Sequence, residues 1–354
     1  MRVLVIGAGI FGTTAALKLS KEHDVTLVDV NNDIMLNASK CNHSRLHFGF
    51  HYPRSVETAQ QSIDGYGSFY QSFRSAIRND FPNYYMIENG SKVTPAEYEI
   101  FCSNLQLYFR EEYPNIDMDF SKIRSSFLTN EPIFDYDILK SILKKMLDNS
   151  TITVILNKGI KRKSDMDEYD VIINTSYFNI NEINKLFNIK QQELKLQTVV
   201  IPIFKKKMSR IGLTIMDGEY CSIMPKGFEK DHFLLYHVKE SVIYETIGYT
   251  IPTIWRYGKR IIKNNFIKKY IYDKFIVNKY IDRIFKESQK YYTFLENCER
   301  VGYWQTVRAL PINEDDCRLS DIRYDEVEGK KIISVLSGKL TTCWTIAEDI
   351  KNMI

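Results

Sequence analysis

The chain opens on an unbroken apolar run, Val3 to Ile6, the pattern of a parallel strand covered on both faces. Gly7-Ala8-Gly9-Ile10-Phe11-Gly12 follows at once, and residues 13–20 read as a helix with Ala15, Ala16 and Leu19 free for packing. A second apolar strand over 25–28 ends at Asp29, and residues 37–55 form a polar, His-rich loop. Val56, Ile63, Tyr66, Phe69, Phe73 and Ile77 recur at mostly helical spacing, which predicts a helix over 56–80. Residues 84–87 read as a strand, 95–109 and 138–147 as helices, and 152–157 and 171–174 as strands. Over 197–205 and 212–246, apolar and alternating runs are broken by Asp217-Gly218 and Pro225-Lys226-Gly227, the pattern of an antiparallel sheet. Residues 259–292 read as helical and basic. The end returns to α/β character, with a strand over 332–336, a loop at Ser337-Gly338-Lys339 and a helix from Thr341.

At 354 residues and 44% hydrophobic content, the chain can bury a substantial core and falls outside the disordered class. A net charge of +4 does not by itself call for nucleic acid, which is not expected as a partner. No run reaches the roughly 18 apolar residues of a membrane span. The first residues read as a buried strand rather than a targeting segment, so a cytoplasmic location is expected. Cys41, Cys102, Cys221, Cys298, Cys317 and Cys343 are scattered without a C-x-x-C pair, so no metal site is expected.

The glycine pattern carries the first chemistry. It follows a strand, opens a helix, and is followed by an acidic residue at the end of the next strand, the context that makes G-x-G-x-x-G a dinucleotide signal. Gly7 permits the tight turn, Gly9 admits a pyrophosphate, and Gly12 lets the helix pack on the sheet. Ile10 and Phe11 begin that helix, whose free N–H groups favour phosphate, and Asp29 suits ribose hydroxyls. Three features favour FAD over NAD: the long polar loop with Asn42, His47 and Gly49, the late strand at Asp170 to Asn174, and the terminal helix after Ser337-Gly338-Lys339-Leu340-Thr341-Thr342. That helix start could stabilise negative charge on a reduced flavin. No second glycine pattern offers a site for a pyridine nucleotide.

The stretch from Asn42 to Tyr52, with Ser44, Arg45, Leu46, His47, Gly49 and His51, resembles the flavin loop of the L-2-hydroxyglutarate oxidase branch of the FAD-dependent oxidoreductases related to D-amino-acid oxidase and glycine oxidase. The tail Gly338-Lys339-Leu340-Thr341-Thr342 with Ala347-Glu348 resembles that of flavin glycerol-3-phosphate dehydrogenases, and 170–174 resembles the family's third flavin-domain strand. Where the family has small residues after this strand, Thr175-Ser176-Tyr177 stands instead. The resemblance implies an α/β fold: a Rossmann-type FAD-binding domain with an inserted antiparallel β-sheet plus helix substrate, or cap, domain. The FAD-binding domain is expected over 1–60, 150–195 and 300–354, and the cap over 61–149 and 196–299 with helical insertions.

The resemblance also implies the site. Asn42, Ser44, Arg45, Leu46, Gly338, Lys339, Leu340 and Thr341 would join Gly7, Gly9, Ile10, Phe11, Gly12 and Asp29 around FAD. Arg308, in Val307-Arg308-Ala309-Leu310-Pro311, is similar to the arginine that holds a substrate carboxylate, for which a guanidinium fork is suited. His47 or His51 would serve as base or as a hydrogen-bonding group, and a histidine in this region carries covalent flavin in some relatives. Lys339 would stabilise anionic reduced flavin, and Tyr52, Tyr303 and Trp304 are candidate pocket walls. The expected function is oxidation of a C–OH or C–N bond of a small polar, anionic substrate by hydride transfer to flavin N5, with oxygen, a quinone or another electron acceptor reoxidising the cofactor. The alternatives are a flavin-dependent modification enzyme acting on a nucleotide, sugar nucleotide or nucleic acid, lyase or redox-neutral chemistry included, and a flavin-binding protein without turnover. The basic stretch over 259–290 reads as a solvated helix face, with binding of a phosphorylated substrate, of a nucleic acid, or peripheral contact to an anionic membrane as its functional alternatives.

Overall fold

The computed structural model describes residues 1–252, 266–313 and 317–354. Two sheets organise them. The first has six strands in the order Asp321–Val327, Lys330–Leu336, Val171–Asn174, Arg2–Ile6, Asp24–Val28, Thr153–Ile155. Five run parallel, and Asp321–Val327 closes one edge as an antiparallel hairpin with Lys330–Leu336. The continuous apolar runs fit this position, because both faces are covered. Val3 and Val5 on one face share a core with Ala15 of Ile10–Leu19, Leu139 of Tyr136–Asp148, Ile346 of Cys343–Met353 and Phe69 of Val56–Phe73. Leu4 and Ile172 on the other face pack against Ile183 and Phe187.

The second sheet has nine strands in the order Val242–Gly248, Leu194–Lys205, His232–His237, Cys221–Pro225, Gly212–Met216, Asn83–Glu88, Ile123–Thr129 and Phe109–Glu111, with Glu299–Leu310 also paired to Leu194–Lys205. All of its pairings are antiparallel except Gly212–Met216 with Asn83–Glu88. Side chains alternate between its faces. Leu213, Ile215, Ile223, Phe233 and Leu235 enter a core with Val277, Ile281, Ile284 and Phe285 of the helix Phe266–Ser288. The intervening Thr214, Ser222 and Tyr236 therefore turn to the opposite face, where they line a cavity.

Several sequence expectations are corrected. The helix expected over 56–80 ends at Phe73, because Phe73 and Ala76 drop into the first core and Ile77–Arg78 pairs with Ile133–Phe134. The helix expected over 95–109 ends at Asn104, with Gln106 at φ 54 breaking the turn before the strand Phe109–Glu111. Its start was legible, since Thr94 and Glu97 form a capping box ahead of it. The strand Glu299–Leu310, expected in the nucleotide-binding half, lies in the second sheet, whereas residues 61–73 and the helix Tyr136–Asp148, expected in the cap, pack on the first.

The basic segment begins outside the described residues at 259–265, and the side chains of Lys268, Lys269 and Lys274 are also outside them. From Val277 onward its apolar side is covered by the second sheet, and Arg283 pairs with Glu240 at 2.7 Å. That side is therefore not an open amphipathic face for a membrane surface. Among the described residues no helix is long and apolar enough to cross a membrane.

Candidate active site

The first strand enters the turn at Gly7, whose φ of +104° is a conformation that side chains rarely tolerate. A Cβ on Gly12 would lie 1.8 Å from the Gly7 carbonyl oxygen, so the helix rests directly on the turn. Gly9 is the N-cap residue and has no side chain to offer; the Ile10 N–H donates instead to Ser39 Oγ at 3.1 Å, and the positive end of Ile10–Leu19 faces the cavity. Asp29 is held beside it. One carboxylate oxygen accepts from the Ala8 N–H at 2.6 Å, and the other accepts from the Asn31 backbone and side-chain N–H groups at 2.8 Å each.

A cavity of about 520 Å³ runs from Asp29 and Lys158 past the glycine turn to the polar face of the second sheet at Thr214, Tyr236 and Arg308. Its size is that of a small-molecule site. Glycines at the turn, a helix start facing the cavity and a fixed carboxylate one strand away fit the pyrophosphate and ribose of a dinucleotide. Thr175, where the family has a small residue, clasps the turn by donating to the Ile6 and Gly7 carbonyls at 2.9 and 3.0 Å.

The structure sorts the expected contacts. Gly7, Gly9, Ile10, Phe11, Asp29, Asn42, Arg45, Gly338, Lys339 and Leu340 line the cavity, as do His47, His51, Tyr52 and Arg308. Gly12 packs behind the turn. Ser44, Leu46 and Thr341 are corrections, being buried and off the cavity lining. Leu46 joins the first core and gives its N–H to the Pro132 carbonyl at 3.0 Å. Ser44 gives its N–H to the Asn42 side chain at 2.8 Å and accepts from the Phe134 N–H at 2.9 Å. Thr341 backs onto Gly65, where a Cβ would lie 2.6 Å from its carbonyl oxygen. Tyr303 and Trp304 are likewise off the lining.

Arg45 lines the cavity and is also tied into the second sheet. Its guanidinium reaches the second sheet, donating to Tyr85 Oη and Thr214 Oγ1, and Nη1 lies 3.5 Å from Glu131 Oε2. Tyr85 in turn donates to Glu131. Burial works against the charge on Arg45, but the Tyr85 and Glu131 oxygens outweigh it and raise its pKa. Burial pushes the Glu131 carboxyl up, against the pull of Arg45.

Arg45 Nη1 also contacts His51 Nδ1 at 3.2 Å. A guanidinium only donates, so His51 Nδ1 accepts, and the neutral ring carries its proton on Nε2. His51 is therefore set up as a donor. His47 Nδ1 is buried without a hydrogen-bond partner, 3.9 Å from Glu131 Oε1. Burial, then Lys339 and other nearby cations, hold His47 well below pKa 6.5, and burial followed by Arg45 does the same for His51. His47 keeps a lone pair free to take a proton.

His43 was not singled out in the sequence. It lines the cavity, Nε2 lies 3.0 Å from the Leu234 carbonyl, and Ser222 Oγ lies 3.3 Å from Nδ1. Burial, then Arg45, depresses its pKa to about 3. The folded protein thus binds fewer protons than the unfolded chain below pH 6.5. The stability His43 contributes is complete above that pH and is lost as pH falls toward about 3, with His47 and His51 acting in the same sense. The unfolding temperature is expected to drop between about pH 7 and about pH 5, and to drop less in His43→Gln. A flat profile in the parent, or a steeper one in the variant, would contradict this.

Tyr85, Glu131, Thr214, Ser222, Tyr236 and Thr306 were also missed. For Thr214 and Ser222 a signal existed, since each is a lone hydroxyl inside an apolar strand.

Fold and cradle together define a class, the FAD-dependent oxidoreductases. Residues 2–88 match the family model DAO, described as FAD dependent oxidoreductase. The match takes in the N-terminal strand–helix–strand unit, FAD is the cofactor, and the whole chain shares the fold of solved flavin oxidases. Glycine oxidase from Geobacillus kaustophilus superposes with a TM-score of 0.70 at 10% identity, over 99% of this chain and 94% of that one. L-alpha-glycerophosphate oxidase from Mycoplasma pneumoniae, with FAD bound, superposes at 0.63 with 13% identity, over 99% and 94%. The FAD-dependent monooxygenase kojA of Aspergillus flavus is 23% identical over 253 residues, 64% of this chain and 58% of that protein. The chain thus spans less than two thirds of the length of the curated relatives it matches.

Proposed function

We propose that the protein oxidises a C–OH or C–N bond of a small polar anion and passes the electrons on to oxygen, a quinone or another acceptor. FAD, when bound, supplies the hydride acceptor. The observation that carries the reading is Arg308. Its guanidinium lines the cavity, lies 5.4 Å from the Tyr236 ring centre and donates to Gln197 Oε1 at 2.5 Å. No carboxylate pairs with it among the described residues, and its Nε is buried without a partner. A half-buried guanidinium without a carboxylate partner favours an incoming carboxylate. His47 would take the proton of the oxidised group, and His51 Nε2–H would donate to the substrate or its product.

Arg308→Lys keeps the charge and loses the planar fork. Losing a charge-assisted contact of about 1.5–3 kcal/mol lowers kcat/KM roughly ten- to hundredfold. Arg308→Ala is expected to lose more, with FAD occupancy near that of the parent in both. The check is steady-state kinetics alongside the flavin-to-protein ratio. Parent-like turnover in both variants, or loss of FAD in step with activity, would make Arg308 structural and remove the support for an anionic substrate.

A further inference from the structure

Four adjacent strands of the second sheet place a side-chain hydroxyl at one register level. Tyr236 pairs with Ser222, Ser222 with Thr214, and Thr214 with Tyr85. Their neighbours Leu235, Ile223, Leu213 and Met86 enter the core on the far side, so the hydroxyls share one face. A buried row of this kind needs partners. At one end the protein supplies them: Glu131 and Arg45 engage Tyr85, Arg45 engages Thr214, and His43 faces Ser222.

At the other end it does not. Tyr236 Oη, Thr306 Oγ1 and Arg308 Nε are all buried without a hydrogen-bond partner, and all three residues line the cavity. They are neighbours. Thr306 precedes Arg308 by two residues on the same face of one strand, and the Arg308 guanidinium lies over the Tyr236 ring. Thr306 is only 8% exposed. An apolar ligand group here would strand all three polar atoms. An ammonium would meet Arg308 with no carboxylate among the three. A hydroxyl can both donate and accept, and so can serve Tyr236 and Thr306 together.

We propose that this unpaired end is a specificity site for a carboxylate that also bears hydroxyl groups, the acid on Arg308 and a non-reacting hydroxyl on Tyr236 and Thr306. The inference rests on the reading of the cavity as the site of anion oxidation. It narrows the substrate class to polyhydroxylated carboxylic acids.

The test is anaerobic calorimetric titration of the FAD-loaded protein with propionate, glycerol, DL-glycerate and L-threonate, with the flavin spectrum followed in parallel. The hydroxy acids are expected to bind at least about tenfold more tightly than propionate or glycerol. Thr306→Val and Tyr236→Phe each delete one unpaired oxygen. Each should weaken glycerate or threonate about tenfold while leaving propionate unchanged, and Arg308→Lys should weaken every acid. FAD occupancy, measured for each variant, separates a lost contact from a damaged fold. Equal binding of propionate and the hydroxy acids, or the parent's selectivity surviving in both hydroxyl variants, would overturn the proposal. Selective binding without bleaching would uphold the specificity site and count against oxidation of these probes. Bleaching by acids without selectivity for hydroxyls would do the reverse.

Discussion

Gly12→Ala is expected to yield protein without FAD. The added Cβ would lie 1.8 Å from the Gly7 carbonyl oxygen and 2.5 Å from Thr175 Oγ1. Overpacking costs about 1–3 kcal/mol even where side chains can yield, and here a backbone carbonyl must move. Relief requires the helix Ile10–Leu19 to lift off the turn, which moves its N-terminal N–H groups away from where a pyrophosphate would sit. Gly67→Ala is the control. Gly67 is exposed on the helix Val56–Phe73, and its Cβ would meet nothing within 4 Å. That substitution should be neutral or stabilise by about 0.4–1 kcal/mol. The flavin-to-protein ratio after purification, with urea midpoints for both variants, decides the matter. Parent-like FAD content in Gly12→Ala would show that the turn does not depend on a bare glycine there.

Glu131→Ala is expected to destabilise the fold by about 3–5 kcal/mol, the range for breaking one partner out of a buried ion pair. Glu131 is 1% exposed and Arg45 4%. The carboxylate accepts from Tyr85 Oη and from the Phe48 N–H at 3.1 Å. Its loss strands a buried guanidinium, a phenol and a backbone amide together. Combining it with the loss of the charge, as in Arg45→Met with Glu131→Leu, should recover much of the stability, because an apolar pair of similar volume leaves no buried charge. Urea denaturation of the FAD-loaded proteins measures both. A Glu131→Ala variant within about 1 kcal/mol of the parent would show that water or other groups already carry the Arg45 charge.

The cradle was legible because its rules are local. The turn at Gly7, the helix seat at Gly12 and the carboxylate at Asp29 lie within one strand–helix–strand unit, and backbone sterics dictate each residue type. The parallel strands were legible for a similar reason, since burial on both faces removes polar residues from 3–6 and 171–173. The second sheet was harder. Glu299–Leu310 has its first five residues exposed, so no apolar alternation marks it. Asn83–Glu88 lies parallel to Gly212–Met216 across a sequence gap that no local pattern spans. The ion-pair role of Arg45 was missed for the same reason. Arg45 sits in a loop beside cavity-lining residues, while its partners Tyr85, Glu131 and Thr214 come from distant parts of the chain. Ser44 and Leu46 were assigned by neighbourhood in the flavin loop, although their backbone bonds and burial turn them into the core. Arg308 was placed by resemblance alone, and the geometry adds what resemblance could not: an unpaired Nε and two unpaired hydroxyl-bearing neighbours.

The most direct measurement is anaerobic titration of the purified protein with hydroxy acids, amino acids and polyol phosphates while its visible flavin absorbance is followed, with mass spectrometry of the released cofactor. The expected result is FAD as the cofactor, bleaching by at least one small anion, and slower bleaching in Arg308→Lys. A protein that neither retains nor takes up FAD, or a yellow protein that no anion of these classes bleaches, would contradict the assignment of the cavity as a flavin site for anion oxidation.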